Sequence, residues 1–349
     1  MKEIDQFTGC IIGLACGDAL GRPTEFIKSV PTIYSRFGGP VTRFVKGDDA
    51  HEANCYTDDT QMTIAVTRAL IRNGHGTLDE LMHVMSEEFI AWARSPLNNR
   101  APGGTCLSGC ANLKRGKHWK EAGIPTSKGC GAAMRAAPIG LYYSDDRDRM
   151  VLVAAAQSSL THRHPTAIAS SVASAAAVAH LVRSRGSLQG LTEFVLDCLN
   201  VLDEHLLVEV GCPPDTARLI GTSEMLASMS QQETALHGET DDVCSLLGEA
   251  WVGEEAVACA LWCVLKEYGI FEGSIIRGAN SSGDSDSIAC IAGSIAGALV
   301  GIDHIPKHFA LKVEDSDRLY LLADALYASK HRGETAMFPS LDFFGVTAK

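Results

Sequence analysis

The sequence predicts an all-α fold. Apolar residues recur at helical spacing through most of the chain, and no segment shows the alternation of apolar and polar residues that is typical of a half-buried strand. Aromatic residues make up only 6% of the chain while alanine and glycine are abundant, which indicates helices that pack closely. The 349 residues suffice for one large domain or two ordinary ones, and we expect a single domain over residues 1–349.

The composition narrows the class of protein. Hydrophobic residues at 46% and charged residues at 21% are ordinary for a globular chain, and a net charge of −12 argues against a general nucleic-acid surface. An anionic substrate remains possible, because metals and backbone N–H groups supply local positive potential.

The twelve cysteines form no CxxC pair and Met1 to Asp5 shows no signal-peptide pattern, so we expect reduced thiols in a cytoplasmic protein. The most apolar helix, Ile288 to Ile302, is shorter than the ~20 residues that a bilayer needs, so no membrane partner is expected.

Helical periodicity places the elements in chain order. The predicted helices are Phe7 to Leu20, Gln61 to Arg72, Leu78 to Ala93, Met150 to Thr161, Pro165 to Val182, Leu188 to Leu207, Glu254 to Glu267, Ile288 to Ile302 and Leu319 to Ala328. Gly17 and Gly21 in the first helix permit another backbone to approach closely, and so do Gly293, Gly297 and Gly301 further along. The predicted loops are Val30 to His51 and Ser95 to Gly109. Gly211 to Val243 is polar with no predicted helix, and a loosely attached tail is expected after His331.

Two acidic segments each precede a helix and predict a metal site. In the first, Thr57 is a good N-cap, and Asp58 and Asp59 fall in the first helical turn. The second is Gly283 to Ser287, with the sequence Gly-Asp-Ser-Asp-Ser. Four carboxylates brought together repel one another unless a cation lies between them, and an all-oxygen cage suits Mg²⁺ or Mn²⁺ rather than zinc. One such segment alone is more often only an acidic helix start, but the pair favours the metal.

Other acidic residues have plainer interpretations. The Thr-Asp-Asp run at 240–242 has polar neighbours and no glycine loop beside it, so we interpret it as a solvated turn. Asp18 is equally consistent with an acceptor that supports the metal site and with a helix-end turn residue. Glu25 follows a proline turn, and an isolated loop glutamate of this kind is usually solvated.

Two glycine-rich stretches are candidate contacts for phosphate or ribose. Gly103 to Thr105 offers backbone N–H groups, although most such runs are only turns. Ser127 to Arg135 enters a helix, but it lacks the ending of a P-loop and no strand precedes it, which excludes a P-loop NTPase. His162 and His164 lie between helices, where histidine is normally solvated; the nearby glycine loops raise the odds of a role in the site.

The order of these segments resembles the ADP-ribosylglycohydrolase family, which includes the dinitrogenase-reductase-activating glycohydrolases. The likeness rests on Gly13 to Gly21 with Glu25, Tyr56 to Gln61, Gly129 to Arg135, Thr161 with His162, Gly283 to Gly297, and a Gly-Trp-Glu-Glu-like stretch at Leu247 to Ala258. It runs from about residue 7 to 302, which leaves C-terminal helices and a tail at 303–349. The two acidic motifs together are its most specific part.

The resemblance implies a compact orthogonal helical bundle with a dinuclear Mg²⁺ or Mn²⁺ site in a central cleft that binds ADP-ribose. It implies six metal ligands: Thr57, Asp58, Asp59, Asp284, Asp286 and Ser287. Contacts to phosphate and ribose are implied for Gly103, Gly104, Thr105, Gly129, Cys130, Gly131, Met134 and His162. Glu25 and Asp286 are the candidates for the base that activates water, and Arg135 is expected to help compensate the pyrophosphate charge.

Three residues depart from the family pattern. Ser287 stands where threonine is commoner, Cys130 replaces a common asparagine, and Ala101 falls where arginine-specific bacterial members have an aspartate.

The resemblance implies a hydrolase that removes ADP-ribose from a protein side chain, foremost from arginine. The alternatives are a hydrolase of small ADP-ribosyl compounds and a non-catalytic ADP-ribose-binding or immunity protein. The implied partners are an ADP-ribosylated protein or ADP-ribose, and an ADP-ribosyltransferase toxin whose modification is reversed.

Overall fold

A computed structural model of the protein describes residues 1–332 and 343–344. The α-helices are α1 (Glu3–Gly21), α2 (Val30–Phe37), α3 (Asp58–Asn73), α4 (Leu78–Arg94), α5 (Gly104–Lys114), α6 (Trp119–Ala122), α7 (Ala137–Tyr142), α8 (Arg147–Ser159), α9 (Pro165–Arg183), α10 (Leu191–Val201), α11 (Glu204–Glu209), α12 (Pro214–Ile220), α13 (Ser223–Ala235), α14 (Cys244–Leu247), α15 (Gly253–Lys266), α16 (Phe271–Ala279), α17 (Ser285–Val300), α18 (Lys307–Ala310) and α19 (Ser316–Arg332). Over the described residues no strand occurs, and only two isolated β-bridges form, Ile124 with His162 and Gly129 with Val252. The all-α prediction is confirmed.

Helices α1 and α17 form an antiparallel pair at the centre of the molecule, with their backbones in contact. A Cβ atom added at Gly17 would lie 1.9 Å from the carbonyl oxygen of Ala289, and one added at Gly13 would lie 2.4 Å from that of Gly293. Only glycine permits this approach, as the spacing of small residues predicts. The pair brings the end of α1, which includes Asp18, against the start of α17.

Helix α9 is buried on all sides. It is long and apolar enough to cross a membrane by length and composition, but its whole apolar window is buried inside the protein. Helices α7, α8, α10, α15 and α17 pack around it. Its alanines and serines allow these neighbours to lie close to its axis, so it is the core helix that its small residues predict.

Two of the predicted loops contain short helices at their ends. In Val30 to His51, the hydroxyl of Ser29 caps α2 by accepting from the backbone N–H of Thr32 at 3.3 Å, and the helix ends at Gly38, whose φ is 75°. In Ser95 to Gly109, α5 begins at Gly104. Both predictions were wrong over these residues because a helix of one to three turns offers little apolar periodicity to detect.

The polar segment Gly211 to Val243, for which the sequence predicts no helix, contains α12 and α13. Helix α13 buries Ser228 and Gln232 beside its methionines, so its inward face is partly polar and lacks an apolar stripe. The predicted helix Leu188 to Leu207 is instead two helices, α10 and α11. Asp203 separates them and caps α11, accepting from the backbone N–H of Leu206 at 2.8 Å.

The prediction of a loosely attached tail falls on residues 333–342 and 345–349, which lie outside the described residues. Phe343 and Phe344 are described and buried. The backbone carbonyl of Phe344 accepts a hydrogen bond from the hydroxyl of Ser95 at 2.7 Å. Phe344 therefore contacts the loop that follows α4.

Candidate active site

The first acidic segment forms the start of α3. The hydroxyl of Thr57 accepts a hydrogen bond from the backbone N–H of Asp59 at 3.2 Å, so Thr57 is the predicted N-cap. Asp18 is fully buried and accepts from the backbone N–H groups of Thr57 and Thr60 at 2.8 and 2.9 Å. Of the two roles that the sequence left open for Asp18, the structure supports the acceptor, which fixes α3 against α1.

The second acidic segment forms the start of α17 and is held by hydrogen bonds from other segments. The hydroxyls of Thr24 and Ser285 lie 2.9 Å apart, and Ser285 also donates to the carbonyl oxygen of Gly21 at 3.0 Å. Asp242 accepts from the backbone N–H of Ser282 at 3.1 Å. The Thr-Asp-Asp run at 240–242 is therefore a turn that supports the loop into α17, and the prediction that it is merely solvated was incomplete.

The two acidic segments meet in one buried cluster. The hydroxyl of Ser287 donates to the carboxylate of Asp59 at 2.9 Å. Glu25, Asp284 and Asp286 each offer a carboxylate oxygen, and these oxygens all lie within 4.8 Å of one another. Glu25 is only 9% exposed, so the expectation for an isolated loop glutamate does not hold. The turn after α1 places it among the aspartates.

Burial and mutual repulsion make this cluster costly to ionise. Burial, followed by the charge of Asp286, raises the pKa of Glu25 to about 11, and burial raises the pKa of Asp58 to about 8. The pKa values of Asp59 and Asp284 are likewise raised, first by burial and then by Asp286. A crowded set of oxygen donors of this kind fits a hard divalent cation, which would favour the ionised carboxylates.

A cavity of about 360 Å³, here called the central cavity, opens beside the cluster. All eight residues predicted to contact phosphate and ribose line it: Gly103, Gly104, Thr105, Gly129, Cys130, Gly131, Met134 and His162. The carboxylates of Glu25, Asp58, Asp59, Asp284 and Asp286 line it as well, together with Ser287. Thr57 lines an adjoining cavity instead. The central cavity therefore joins an edge of clustered carboxylates to a wall rich in glycine backbone.

His162 is a buried residue of the cavity wall. Its Nδ1 lies 2.8 Å from the hydroxyl of Thr161, and that hydroxyl accepts from the Arg135 guanidinium at 2.7 Å. Burial, with a smaller contribution from Arg135, lowers the pKa of His162 to about 3, so its imidazole is neutral at physiological pH. While Thr161 accepts from arginine, its own proton can be donated to Nδ1, and in that arrangement Nε2 of His162 has the ring proton and is a donor.

Arg135 does not lie where the sequence suggested. Its guanidinium is fully buried, donates to the Gln157 side chain at 2.8 Å and lies 4.5 Å from the centroid of the Phe89 ring. It does not line the central cavity, so any compensation of a bound pyrophosphate by Arg135 acts through its charge and not through a direct contact. Arg135 donates to the hydroxyl of Thr161, which contacts Nδ1 of His162, so it helps to position His162.

Cys130 replaces the family's asparagine with a weak donor. Its thiol donates to the carboxylate of Asp284 at 3.0 Å and lies 3.6 Å from the hydroxyl of Ser287. All twelve cysteines are free, and Cys130 is the one that is partly exposed while the others are buried. The thiol therefore contacts the acidic cluster, whereas an asparagine would offer both a donor and an acceptor.

Sequence reasoning missed an aromatic pair at the cavity edge. The rings of Phe26 and Trp251 are stacked, with centroids 6.0 Å apart and an interplanar angle of 15°, and both residues line the central cavity. Trp251 lies in the Gly-Trp-Glu-Glu-like stretch and Phe26 directly follows Glu25, but neither position signals a contact across 225 residues. Ala101 also lines the cavity, with a φ of 54° in the left-handed region.

The comparison with known families agrees with this geometry. The ADP-ribosylglycohydrolase family model matches residues 1–335. The chain belongs to the ADP-ribosylglycohydrolase family. The match extends beyond the region from about residue 7 to 302 in which the motifs lie, and it makes this protein a glycohydrolase enzyme.

Individual relatives are similar along nearly their whole length. The glycohydrolase is 28% identical over 328 residues to the ADP-ribosyl-[dinitrogen reductase] glycohydrolase of Rhodospirillum rubrum, covering 89% of this chain and 90% of that one. It is 25% identical over 367 residues to ADP-ribosylhydrolase ARH3 of Bos taurus, covering 93% of each. It is 25% identical over 333 residues to the ADP-ribosylarginine hydrolase Tri1 of Serratia proteamaculans, covering 93% and 80%.

A solved structure shares the fold. The chain superimposes on an ADP-ribosylglycohydrolase-related protein with a TM-score of 0.70 at 20% identity, covering 94% of this glycohydrolase and 99% of the other chain. At this identity the likeness concerns the helical architecture alone. That architecture is the bundle that the sequence resemblance implied.

Proposed function

We propose that this glycohydrolase cleaves the bond between ADP-ribose and a modified protein side chain, with two Mg²⁺ or Mn²⁺ ions. The observation that supports the proposal most is the cluster of Glu25, Asp284 and Asp286, whose oxygens lie within 4.8 Å of one another at the edge of a glycine-lined cavity. Such a site combines cation ligands with backbone donors for a pyrophosphate.

The proposed cation ligands come from the two helix starts. They are Thr57, Asp58, Asp59, Asp284, Asp286 and Ser287. When bound, divalent cations supply Lewis-acid polarisation of ribose and water oxygens. The hydrogen bonds of Asp18 to the start of α3 and of Ser285 to Gly21 hold these ligands in place before any cation binds.

The residues of the chain then have separable roles. Glu25, buried at the cavity wall, takes a proton from the attacking water, and Asp286 is the second candidate for that base. The segments Gly103–Thr105 and Gly129–Gly131 line the cavity, but the N–H of Gly103 already donates to Asp58 and that of Cys130 to the carbonyl oxygen of Trp251. The proposed phosphate donors are therefore the N–H groups of Gly104 and Thr105 in the first turn of α5, with the Nε2–H of His162 as a side-chain donor. Local donors of this kind allow a protein with a net charge of −12 to bind a pyrophosphate.

We propose arginine as the foremost modified residue, in a cytoplasmic target protein that an ADP-ribosyltransferase has modified. The similarity to a relative named as an ADP-ribosylarginine hydrolase supports this choice. Hydrolysis of small ADP-ribosyl compounds is the same-site alternative. A non-catalytic binding or immunity role is the other alternative, and the complete set of cluster carboxylates argues against it.

Metal titration followed by turnover tests the proposal. The wild-type protein should bind Mn²⁺ in calorimetry, and should release ADP-ribose from a modified protein only when the cation is present. Asp59→Asn removes one carboxylate charge and should weaken both the binding of Mn²⁺ and the release of ADP-ribose. Undiminished turnover after exhaustive chelation, with metal content verified as nil, would rule out the proposed chemistry.

A further inference from the structure

A second cavity adjoins the central cavity at Glu25. It has a volume of about 320 Å³, and Glu25, Phe26 and Ala101 line both cavities. In the proposed function the bond to be cleaved lies beside Glu25. A polypeptide attached to ADP-ribose through that bond therefore begins beside the wall that the two cavities share.

The walls of this second cavity are rich in guanidinium groups, and we call it the basic cavity. Arg22, Arg36 and Arg100 line it, whereas Glu25 and Asp48 are its carboxylates. The carboxylate of Glu25 belongs to the acidic cluster on the other side of the wall. On a protein whose net charge is −12, the basic cavity brings together three guanidinium groups and two lining carboxylates.

Two of the three arginines already have carboxylate partners. Arg22 is buried and lies 2.6 Å from Asp48, which is also 3.1 Å from the His51 ring. The Arg100 side chain is 8% exposed and donates through both terminal nitrogens to Glu314. These pairs fix the shape of the wall and leave little charge for a ligand.

Arg36 differs from the other two. It is exposed at the end of α2, and it donates to the carbonyl oxygen of Gly47 at 2.7 Å. Its guanidinium carbon lies 5.3 Å from the centroid of the Phe37 ring. Neither contact neutralises its charge, and among the described residues no carboxylate forms an ion pair with it. A guanidinium held in this way has N–H groups left for a carboxylate.

We infer that the basic cavity binds acidic side chains of the target polypeptide next to the modified residue, with Arg36 as the principal contact. The inference rests on the proposed function and adds a preference for the sequence around the modification. Glutamate or aspartate flanking the modified residue lowers the KM, because the charges are complementary. The chemistry at the scissile bond and its kcat are unaffected.

Three synthetic peptides test the inference. Each has one ADP-ribosylated residue, of whichever linkage the wild-type protein hydrolyses faster as the free ADP-ribosylated amino acid, and its flanking positions are Glu, Gln or Lys. For wild-type protein the KM of the Glu peptide should be about two- to five-fold below that of the Gln peptide, the range for an exposed ion pair. Arg36→Gln should abolish this difference, and Arg36→Glu should make the Lys peptide the preferred one.

A control variant, Arg218→Gln, and a control substrate, the free ADP-ribosylated amino acid, make the outcome decisive. Arg218→Gln removes another exposed arginine, one that is paired with Asp215 and lies outside both cavities, and should leave every KM unchanged. Equal KM values for the three peptides with wild-type protein, or an unchanged order with Arg36→Glu, would overturn the inference. If the free amino acid derivative is still hydrolysed, the proposed function survives that result. If no substrate is hydrolysed, both fail.

Discussion

The hydroxyl of Ser287 donates a hydrogen bond to the carboxylate of Asp59 at 2.9 Å, across a sequence separation of 228 residues. This contact joins the first turns of α3 and α17, and both residues are buried. A hydroxyl is the smallest group that bridges the two helix starts while remaining a neutral oxygen donor. Ser287 therefore aligns the two halves of the acidic cluster.

Ser287→Ala should weaken cation binding without unfolding the protein. Loss of a group that orients metal ligands typically costs 10–100-fold in metal affinity. Ser287→Thr retains the hydroxyl and matches the commoner family residue, so its affinity should stay near that of wild type. Calorimetric titration with Mn²⁺ measures all three proteins. Equal affinity of the alanine variant and wild type would show that the hydroxyl neither binds nor orients a cation.

Glu25→Gln should separate chemistry from binding. The substitution keeps the size of the side chain and removes its basicity, and loss of a general base typically costs about 10²–10⁴-fold in rate. ADP-ribose should still bind with nearly wild-type affinity, since the glycine loops provide the phosphate contacts. Turnover and calorimetry on the same preparation measure the two effects. A rate close to wild type would leave Glu25 as a structural loop residue.

The metal-free protein should lose stability as the pH rises. Burial and the charge of Asp286 raise the pKa of Asp18 to about 7, and burial chiefly raises that of Asp58 to about 8, both from an ordinary value of 3.8. The folded state therefore holds these protons more tightly than the unfolded chain does. These protonated carboxyl groups stabilise the folded state fully below pH 3.8. Their stabilisation is lost as the pH rises through the pKa values that the two groups have in the folded protein, up to about 8.

Melting temperatures at about pH 5 and about pH 8 measure this effect, with chelator and with Mg²⁺. The chelated protein should melt lower at the higher pH. Bound Mg²⁺ should reduce or reverse the difference, because it favours ionised carboxylates and binds only the folded state. If chelated protein is equally stable at both pH values, the carboxyl groups are not crowded as described.

Gly17→Ala should disturb both stability and activity. The added methyl group would lie 1.9 Å from the carbonyl oxygen of Ala289, so α1 and α17 must separate. Overpacking of a tight core typically costs 1–3 kcal/mol. Gly104→Ala is the matched stability control, since its added methyl group meets no atom within 4 Å. Chemical denaturation measures the free energy of unfolding of each variant, and equal values for Gly17→Ala and wild type would contradict the described packing.

The parts of the site that the sequence predicted correctly depend on short-range signals. Thr57 as an N-cap, and glycines such as Gly17 and Gly293 at the helix contact, are encoded within one or two helical turns. The resemblance added the residues of the glycine loops that line the central cavity. The assignment of cation ligands among these residues stays a prediction.

The parts that were missed depend on contacts between distant segments. The sequence does not show which way the turn before α7 directs Arg135, and its side chain is buried in the core rather than lining the central cavity. The stacking of Phe26 on Trp251 and the burial of Glu25 depend on how the turn after α1 lies against residues far along the chain. The basic cavity around Arg36 is likewise built from separate segments, none of which is basic enough to stand out alone.

Release of ADP-ribose from arginine-linked and serine-linked substrates, measured side by side with Mg²⁺, Mn²⁺ or chelator, tests the proposed hydrolysis and its linkage together. We expect release with either cation, none after chelation, and faster release from arginine than from serine. Faster release from serine would contradict the proposed linkage. Release from neither substrate with either cation, by protein that binds the cation in calorimetry, would contradict the proposed hydrolysis itself.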